Sequence, residues 1–243
     1  MLAAPAVRPV PDALRPAVRA LADGEPVLIF DAADREGETD MVILSERATP
    51  ELVHLLRHDA GGWICVAISE ELRARIGLPF YAELLSADAS EHPVLRELGR
   101  EELRYDKRSP FGVHLHHRAT YTGIPDNDRA TGIRAIGEIA RDAPKLSDGD
   151  LRRRFTSEFS APGHLPLIYA APTLLSERKG HTELSVALAR MGRLSESVTV
   201  CEMLGDSGGA RSPDAARTYA EAHGWEFLEG RTLVGAWRTW SSA

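Results

Sequence analysis

A chain of 243 residues, 43% hydrophobic and 27% charged, can bury a sizeable core, and this composition excludes collagen-like, disordered and membrane-embedded classes. The net charge of -7 argues against general nucleic-acid binding, which needs a clustered basic face; the one short basic cluster, LRRRF (151–155), reads first as a solvated surface. Cys65 and Cys201 are far apart and outside any CxxC, prolines interrupt the N-terminal segment MLAAPAVRPVPDALRP, and no run approaches the roughly 18 apolar residues of a membrane span. A cytoplasmic, reducing setting is the default expectation.

Along the chain, Asp12 precedes ALRPAVRALADG, whose apolar steps of three and four and closing Gly24 predict a capped helix. PVLIF (26–30) and DMVILS (40–45) read as strands. TPELVHLLRHDAGG (49–62) reads as a helix capped by Thr49 with Pro50 at its first position. WICVAIS (63–69) is a third strand, followed by a helix from Glu70. From Tyr81 to Ser109 the pattern weakens and charges accumulate, which suggests an excursion or lid-like segment outside the core. FGVHLHH (111–117) alternates, placing His114 and His116 on one face and His117 on the other.

A helix is expected over 127–141, then a polar linker, APKLSDGDLRRR (143–154), and a short strand near HLPLIYA (164–170). HTELSVALARMG (181–192) is helical, SVTVCEML (197–204) a strand, and SPDAARTYAEAHG (212–224) a helix with Ser212 as cap; WEFLEG (225–230) ends the regular part. Alternation without an internal repeat predicts a layered α/β (α+β) chain: a mixed β-sheet with flanking helices, forming one domain over 1–243.

Five segments can carry chemistry. In DAADREGETD (31–40), Glu36, Glu38 and Asp40 fall at alternate positions and can line one wall. Repelling carboxylates need a divalent cation, a paired arginine or a shared proton, although a solvated turn is the plain alternative. In ERKGHTEL (177–184), Gly180 permits a tight turn and Thr182 can cap the next helix. Its free amides, with Arg178 and Lys179, make a phosphate cradle, and His181 is either structural or part of it. His164 follows a Pro-Gly turn in SAPGHLP, where an inert loop histidine is the plain reading. Glu202 interrupts the apolar VTVCEML, so it faces outward, is partnered, or serves as a general base. RATYTGIPDNDRAT (118–131) offers Thr120, Tyr121 and Thr122 ahead of Gly123, as a simple turn or a phosphate-holding one.

In this order, DREGETD, TYTGIPDNDRAT, APGHLPL, RKGHTELSVALA and VCEML resemble the signatures of 3,4-dihydroxy-2-butanone 4-phosphate synthase, a riboflavin-pathway family. The resemblance runs from about Pro26 to Gly230. EGETD and the longer segment before FGVHLHH look like the archaeal branch.

It implies a metal-dependent carbon-carbon lyase that turns D-ribulose 5-phosphate into formate and a four-carbon phosphorylated ketone. Glu36 and His181 match magnesium ligands. Magnesium or manganese, two ions per site, would stabilise the enediolate formed on loss of the C3 proton. Arg35, Glu36, Asp40, Thr122, Glu202 and the turn Arg178, Lys179, Gly180, His181 and Thr182 match substrate-binding positions. His164, Glu202, Glu38 and Cys65 match positions implicated in catalysis. The family works as a homodimer with shared sites, so the TYTG loop is expected to serve the partner chain, with no nucleic-acid or membrane partner.

Tyr121, Pro125 and Lys179 depart from the bacterial pattern without touching a matched metal ligand. The competing readings are a nucleotide- or RNA-binding relative of the threonylcarbamoyl-adenylate synthase group, which the acidic loop disfavours, and an inactive scaffold. The length leaves too few residues for a fused GTP cyclohydrolase.

Overall fold

The short apolar runs become strands because most are covered on both faces. In the computed structural model, which describes residues 8–98 and 109–242, these are β1 (Val27–Phe30), β2 (Thr39–Leu44), β3 (Cys65–Ile68), β4 (Phe111–His117), β5 (Phe159–Tyr169), β6 (Ser197–Glu202) and β7 (Glu226–Glu229). They form one seven-stranded sheet in the order β4-β5-β3-β6-β2-β1-β7. The β3–β5 and β1–β7 pairs are parallel and the others antiparallel, so the sheet is mixed, as expected for this α/β chain.

Ten helices flank it: α1 (Arg15–Asp23), α2 (Pro50–Asp59), α3 (Glu70–Ile76), α4 (Tyr81–Ala87), α5 (Pro93–Leu98), α6 (Asp126–Asp142), α7 (Asp148–Glu158), α8 (His181–Gly192), α9 (Pro213–His223) and α10 (Gly230–Ser242) among the described residues. Side chains alternate across the sheet. Leu28, Met41, Ile43, Val66 and Cys201 join the core beneath α2, α3, α6, α7 and α9. Ile29, Val42, Cys65, Val198 and Val200 join a second core beneath α1, α8 and α10. Thr49 and Ser212 cap α2 and α9 by accepting the amides of Leu52 and Ala215, and Gly24 closes α1 in a left-handed conformation.

Four expectations change. Asp12 does not cap α1; it starts a short 3-10 turn, and the helix proper begins with Arg15–Pro16. The polar linker over 143–154 is largely α7: Ser147 caps it, and only Leu151 and Phe155, one turn apart, are buried, too narrow a stripe to show between arginines. Its basic run is already neutralised or engaged, since Arg153 pairs with Asp150, Arg154 with Asp142 and Glu158, and Arg152 donates to the Ile76 carbonyl. Regular structure continues past Gly230 as α10, where Leu233 and Trp237, also one turn apart, reach the core.

The strand near HLPLIYA starts earlier and is bulged. Leu115 pairs with Leu165 and the next residue, His116, with Ser160, so 161–164 loop out of β5. Gly163 sits at that bulge, where a Cβ would meet the Leu115 carbonyl oxygen at 2.0 Å. In the 81–109 excursion, α4 and α5 bury no residue; positions 99–108 lie outside the described residues.

Candidate active site

The acid-rich segment leaves the end of β1 and returns as β2, so its conformation is set at its root. There Asp31, 4% exposed, turns its carboxylate into the loop: Oδ1 accepts the amides of Gly37 and Glu38, each at 3.1 Å, and Oδ2 accepts the Glu36 amide at 3.1 Å and Arg35 Nη1 at 3.2 Å. Gly37 takes φ +70, a turn that glycine makes without strain. The solvated-turn reading of Asp31 is therefore wrong.

The loop delivers Glu36 to the start of α8. Glu36 Oε2 lies 3.2 Å from His181 Nδ1 and 2.7 Å from Arg35 Nη1, while His181 Nε2 donates to the Glu38 carbonyl at 3.2 Å. Burial alone would raise the Glu36 carboxyl, but the His181 hydrogen bond and Arg35 outweigh it and hold it at about 2. Burial likewise resists charging His181, yet Asp40 and Glu36 push it up to about 9.

Strand alternation brings the remaining acids to the same face. Asp40 and Glu202 are directly paired across β2 and β6, in phase with Val42 and Val200 of the core beneath α8. Asp40 is fully buried; its Oδ1 lacks a hydrogen bond and lies 3.5 Å from His181 Nδ1. Burial, with Glu202 and Glu36 adding repulsion against the pull of His181, raises Asp40 to about 7. Glu38 and Glu202 are raised too, first by burial and then by neighbouring carboxylates. Cys65 shares this face; burial and the Glu202 charge lift its thiol well above the usual range, so it remains a neutral wall at pH 7.

At the opening of α8 the structure corrects one detail: Gly180 is the cap position and Thr182 lies inside the first turn, buried. The first-turn acid, Glu183, is fully buried and staples the turn. Its Oε1 accepts the Ala171 amide at 2.9 Å and its Oε2 pairs with Arg178 Nη1 at 2.6 Å. Arg178 and Arg35 both lie over Gly180, where a Cβ would meet their guanidinium nitrogens at 2.5 and 2.7 Å. Lys179 is exposed at the rim of a 510 Å³ cavity that Arg35 and Arg231 also line.

His164 and Thr122 lie elsewhere. His164, exposed on the β5 bulge, donates from Nδ1 to the Thr122 carbonyl at 2.8 Å, and a carbonyl only accepts, which leaves Nε2 outward. The strand that carries His164, β5, stands three places from β2 in the sheet, roughly 14 Å at the usual strand spacing. Thus Arg35, Glu36, Glu38, Asp40, Cys65, Arg178, Gly180, His181, Thr182 and Glu202 gather at one end of the sheet, with Lys179 at the margin, and His164 and Thr122 form a separate pair. Asp31 and Glu183 were missed from sequence. The available signal was an acid at a strand end before a glycine turn, and an acid in the first turn of an otherwise apolar helix.

Comparison with known proteins places this arrangement. The family model described as 3,4-dihydroxy-2-butanone 4-phosphate synthase matches residues 15–236. Proteins of that name from Methanosarcina mazei and Methanothermobacter thermautotrophicus are 44% and 39% identical, covering 93% and 94% of this chain and 91% and 97% of theirs. A solved synthase from Candida albicans, 26% identical, superposes with a TM-score of 0.68 over 91% of this chain and 95% of its own. Another, solved in complex with two magnesium ions, shares the fold at 22% identity, with a TM-score of 0.70 over 90% and 94% of the two chains. The comparisons give no support to the nucleotide- or RNA-binding alternative, and the chain belongs to the 3,4-dihydroxy-2-butanone 4-phosphate synthase family.

Proposed function

We propose that this protein is a metal-dependent carbon-carbon lyase of riboflavin biosynthesis, converting D-ribulose 5-phosphate into L-3,4-dihydroxy-2-butanone 4-phosphate and formate. The observation that carries this reading is the 3.2 Å approach of Glu36 Oε2 to His181 Nδ1, made by residues 145 positions apart. A carboxylate and an imidazole beside an unsatisfied buried Asp40 oxygen suit magnesium or manganese, and Glu36 and His181 would hold the ion. When bound, such an ion supplies stabilisation of negative charge on neighbouring sugar oxygens.

The chain's own side chains do the rest. Arg35 and Arg178, converging over Gly180, and the positive end of the α8 dipole bind the phosphate end, with Lys179 adding charge at the rim. Asp40, buried and paired across the sheet with Glu202, is placed to take the C3 proton and return it. The neutral Cys65 thiol helps exclude water from the floor.

Two finer points belong to the same proposal. The enzyme is a homodimer in which His164 and the Thr122 loop complete the partner's site. Support comes from their separation from Glu36 within one chain and from the exposed Trp63 and Tyr81 beside His114, with Tyr121 96% exposed. It works in the cytoplasm, a reading supported by two unpaired buried cysteines; no helix among the described residues is long and apolar enough to cross a membrane. The test is incubation of the purified protein with D-ribulose 5-phosphate and magnesium or manganese, with and without chelator, while formate is measured. Absence of formate under every metal condition overturns the proposal.

A further inference from the structure

We infer that Asp31 is a positioning residue that fixes the metal-binding conformation of the acid loop, rather than a third ligand; this rests on the proposed function above. Asp31, Glu36 and His181 each place a ligand atom within 4.8 Å of the others, so proximity alone would make Asp31 a ligand. Its hydrogen bonds decide otherwise. A carboxylate has about four lone-pair sites, and the structure fills each oxygen twice: Oδ1 from Gly37 and Glu38, Oδ2 from Glu36 and Arg35. No acceptor capacity remains for an ion unless amides of the loop are released into a buried setting, which is costly.

The same contacts show what Asp31 does. It holds the amide of Glu36, a proposed ligand, that of Glu38, whose carbonyl accepts from His181, and the guanidinium of Arg35. One buried side chain therefore sets the backbone beneath both sides of the Glu36–His181 contact. The root of the loop is also pressed from behind, since a Cβ at Gly230, the start of α10, would lie 2.4 Å from the Asp31 carbonyl oxygen.

Hydrogen exchange on the metal-free wild-type protein tests this without a variant. The amides of Glu36, Gly37 and Glu38 should be protected as strongly as those of β1 and β2, and magnesium should preserve or increase that protection. Free exchange, or protection lost on adding magnesium, overturns the assignment, the latter by showing Asp31 leaving its amides for the ion. The variant Asp31→Asn places an NH2 group against N–H donors. Its manganese dissociation constant, read by electron paramagnetic resonance, should weaken about 10–100-fold, as for groups supporting metal ligands, with kcat falling more than KM rises. The control Leu151→Ala, in the distant α7 core, should lose stability but keep wild-type manganese affinity. Wild-type affinity in Asp31→Asn, or equal weakening in Leu151→Ala, refutes the inference. If the wild-type protein binds no manganese, the proposed function fails, while the metal-free exchange pattern still decides the role of Asp31. If Asp31→Asn does not fold, the exchange experiment decides alone.

Discussion

The acid-loop end of the sheet and the β5 bulge are built on opposite terms. At the first, Asp31 and Glu183 are buried and fully engaged, so the chain itself fixes Arg35, Glu36, Arg178 and His181. At the second, exposed His164 bonds the Thr122 carbonyl, and Tyr121 beside Thr122 is 96% exposed. Preorganisation is complete where charge must be stabilised, and an exposed half-site is what a second subunit would complete.

The largest expected effect falls on the first region. Glu36→Ala and His181→Ala should each lower metal-dependent formate release on the order of 10³-fold while the circular dichroism spectrum stays native. Unchanged turnover removes that residue from the site.

Next comes the second region. His164→Ala should cost about 10²-fold in kcat. Mixing it with Glu36→Ala after gentle dissociation should restore about a quarter of wild-type activity, because half the dimers are then hybrids with one intact site. If no activity returns, the two regions do not combine across subunits and the contrast between them is broken.

A smaller effect concerns how the bulge is made. Gly163→Ala drives a Cβ into the Leu115 carbonyl and should destabilise the fold by about 1–3 kcal/mol in urea unfolding. A wild-type midpoint would show that the bulge yields and does not fix His164.

The smallest is a pH dependence confined to the first region. In the metal-free protein His181 is held at about 9, so its contribution is fully present below its unfolded value of 6.5 and is lost as pH rises to about 9. Asp40, raised to about 7, gives a slope of the same sign between 3.8 and 7, since the folded chain again binds the extra proton. Glu36, lowered to about 2, contributes above 4.5 and loses that contribution as pH falls. Melting temperature should therefore decline as pH rises from about 5 to 9, and a shallower decline over the upper part of that range in His181→Ala than in the wild type would assign that part of the slope to His181.

How far the sequence spoke depended on burial. PVLIF, DMVILS, WICVAIS and SVTVCEML are covered by helices on both faces, so continuous apolar runs marked them as strands. α7 and α10 each reach the core with side chains one turn apart, Leu151 with Phe155 and Leu233 with Trp237, and composition hid them. Resemblance located the residues at the acid-loop end, but their pairing across 145 positions is a property of the fold. Asp31 was illegible for a sharper reason: an acid after a strand looks solvated whether its oxygens meet water or backbone amides, and only the path of the loop tells which.

The Asp40–Glu202 pair has a consequence for folding. β2 is buried along its whole length and β6 along nearly all of it, so neither carries the alternation of exposed and buried faces by which a strand normally recognises its alignment. A slip of one residue in β2 would exchange Met41 and Ile43 for Val42 and Leu44, apolar for apolar. It would also swing Asp40 into the opposite core, among Leu28, Ile43 and Val66, at a prohibitive cost for a carboxylate. These two acids thus act as an alignment key for the sheet. A chain with valine at both places would keep its stickiness and lose the mark that tells β2 where to stop.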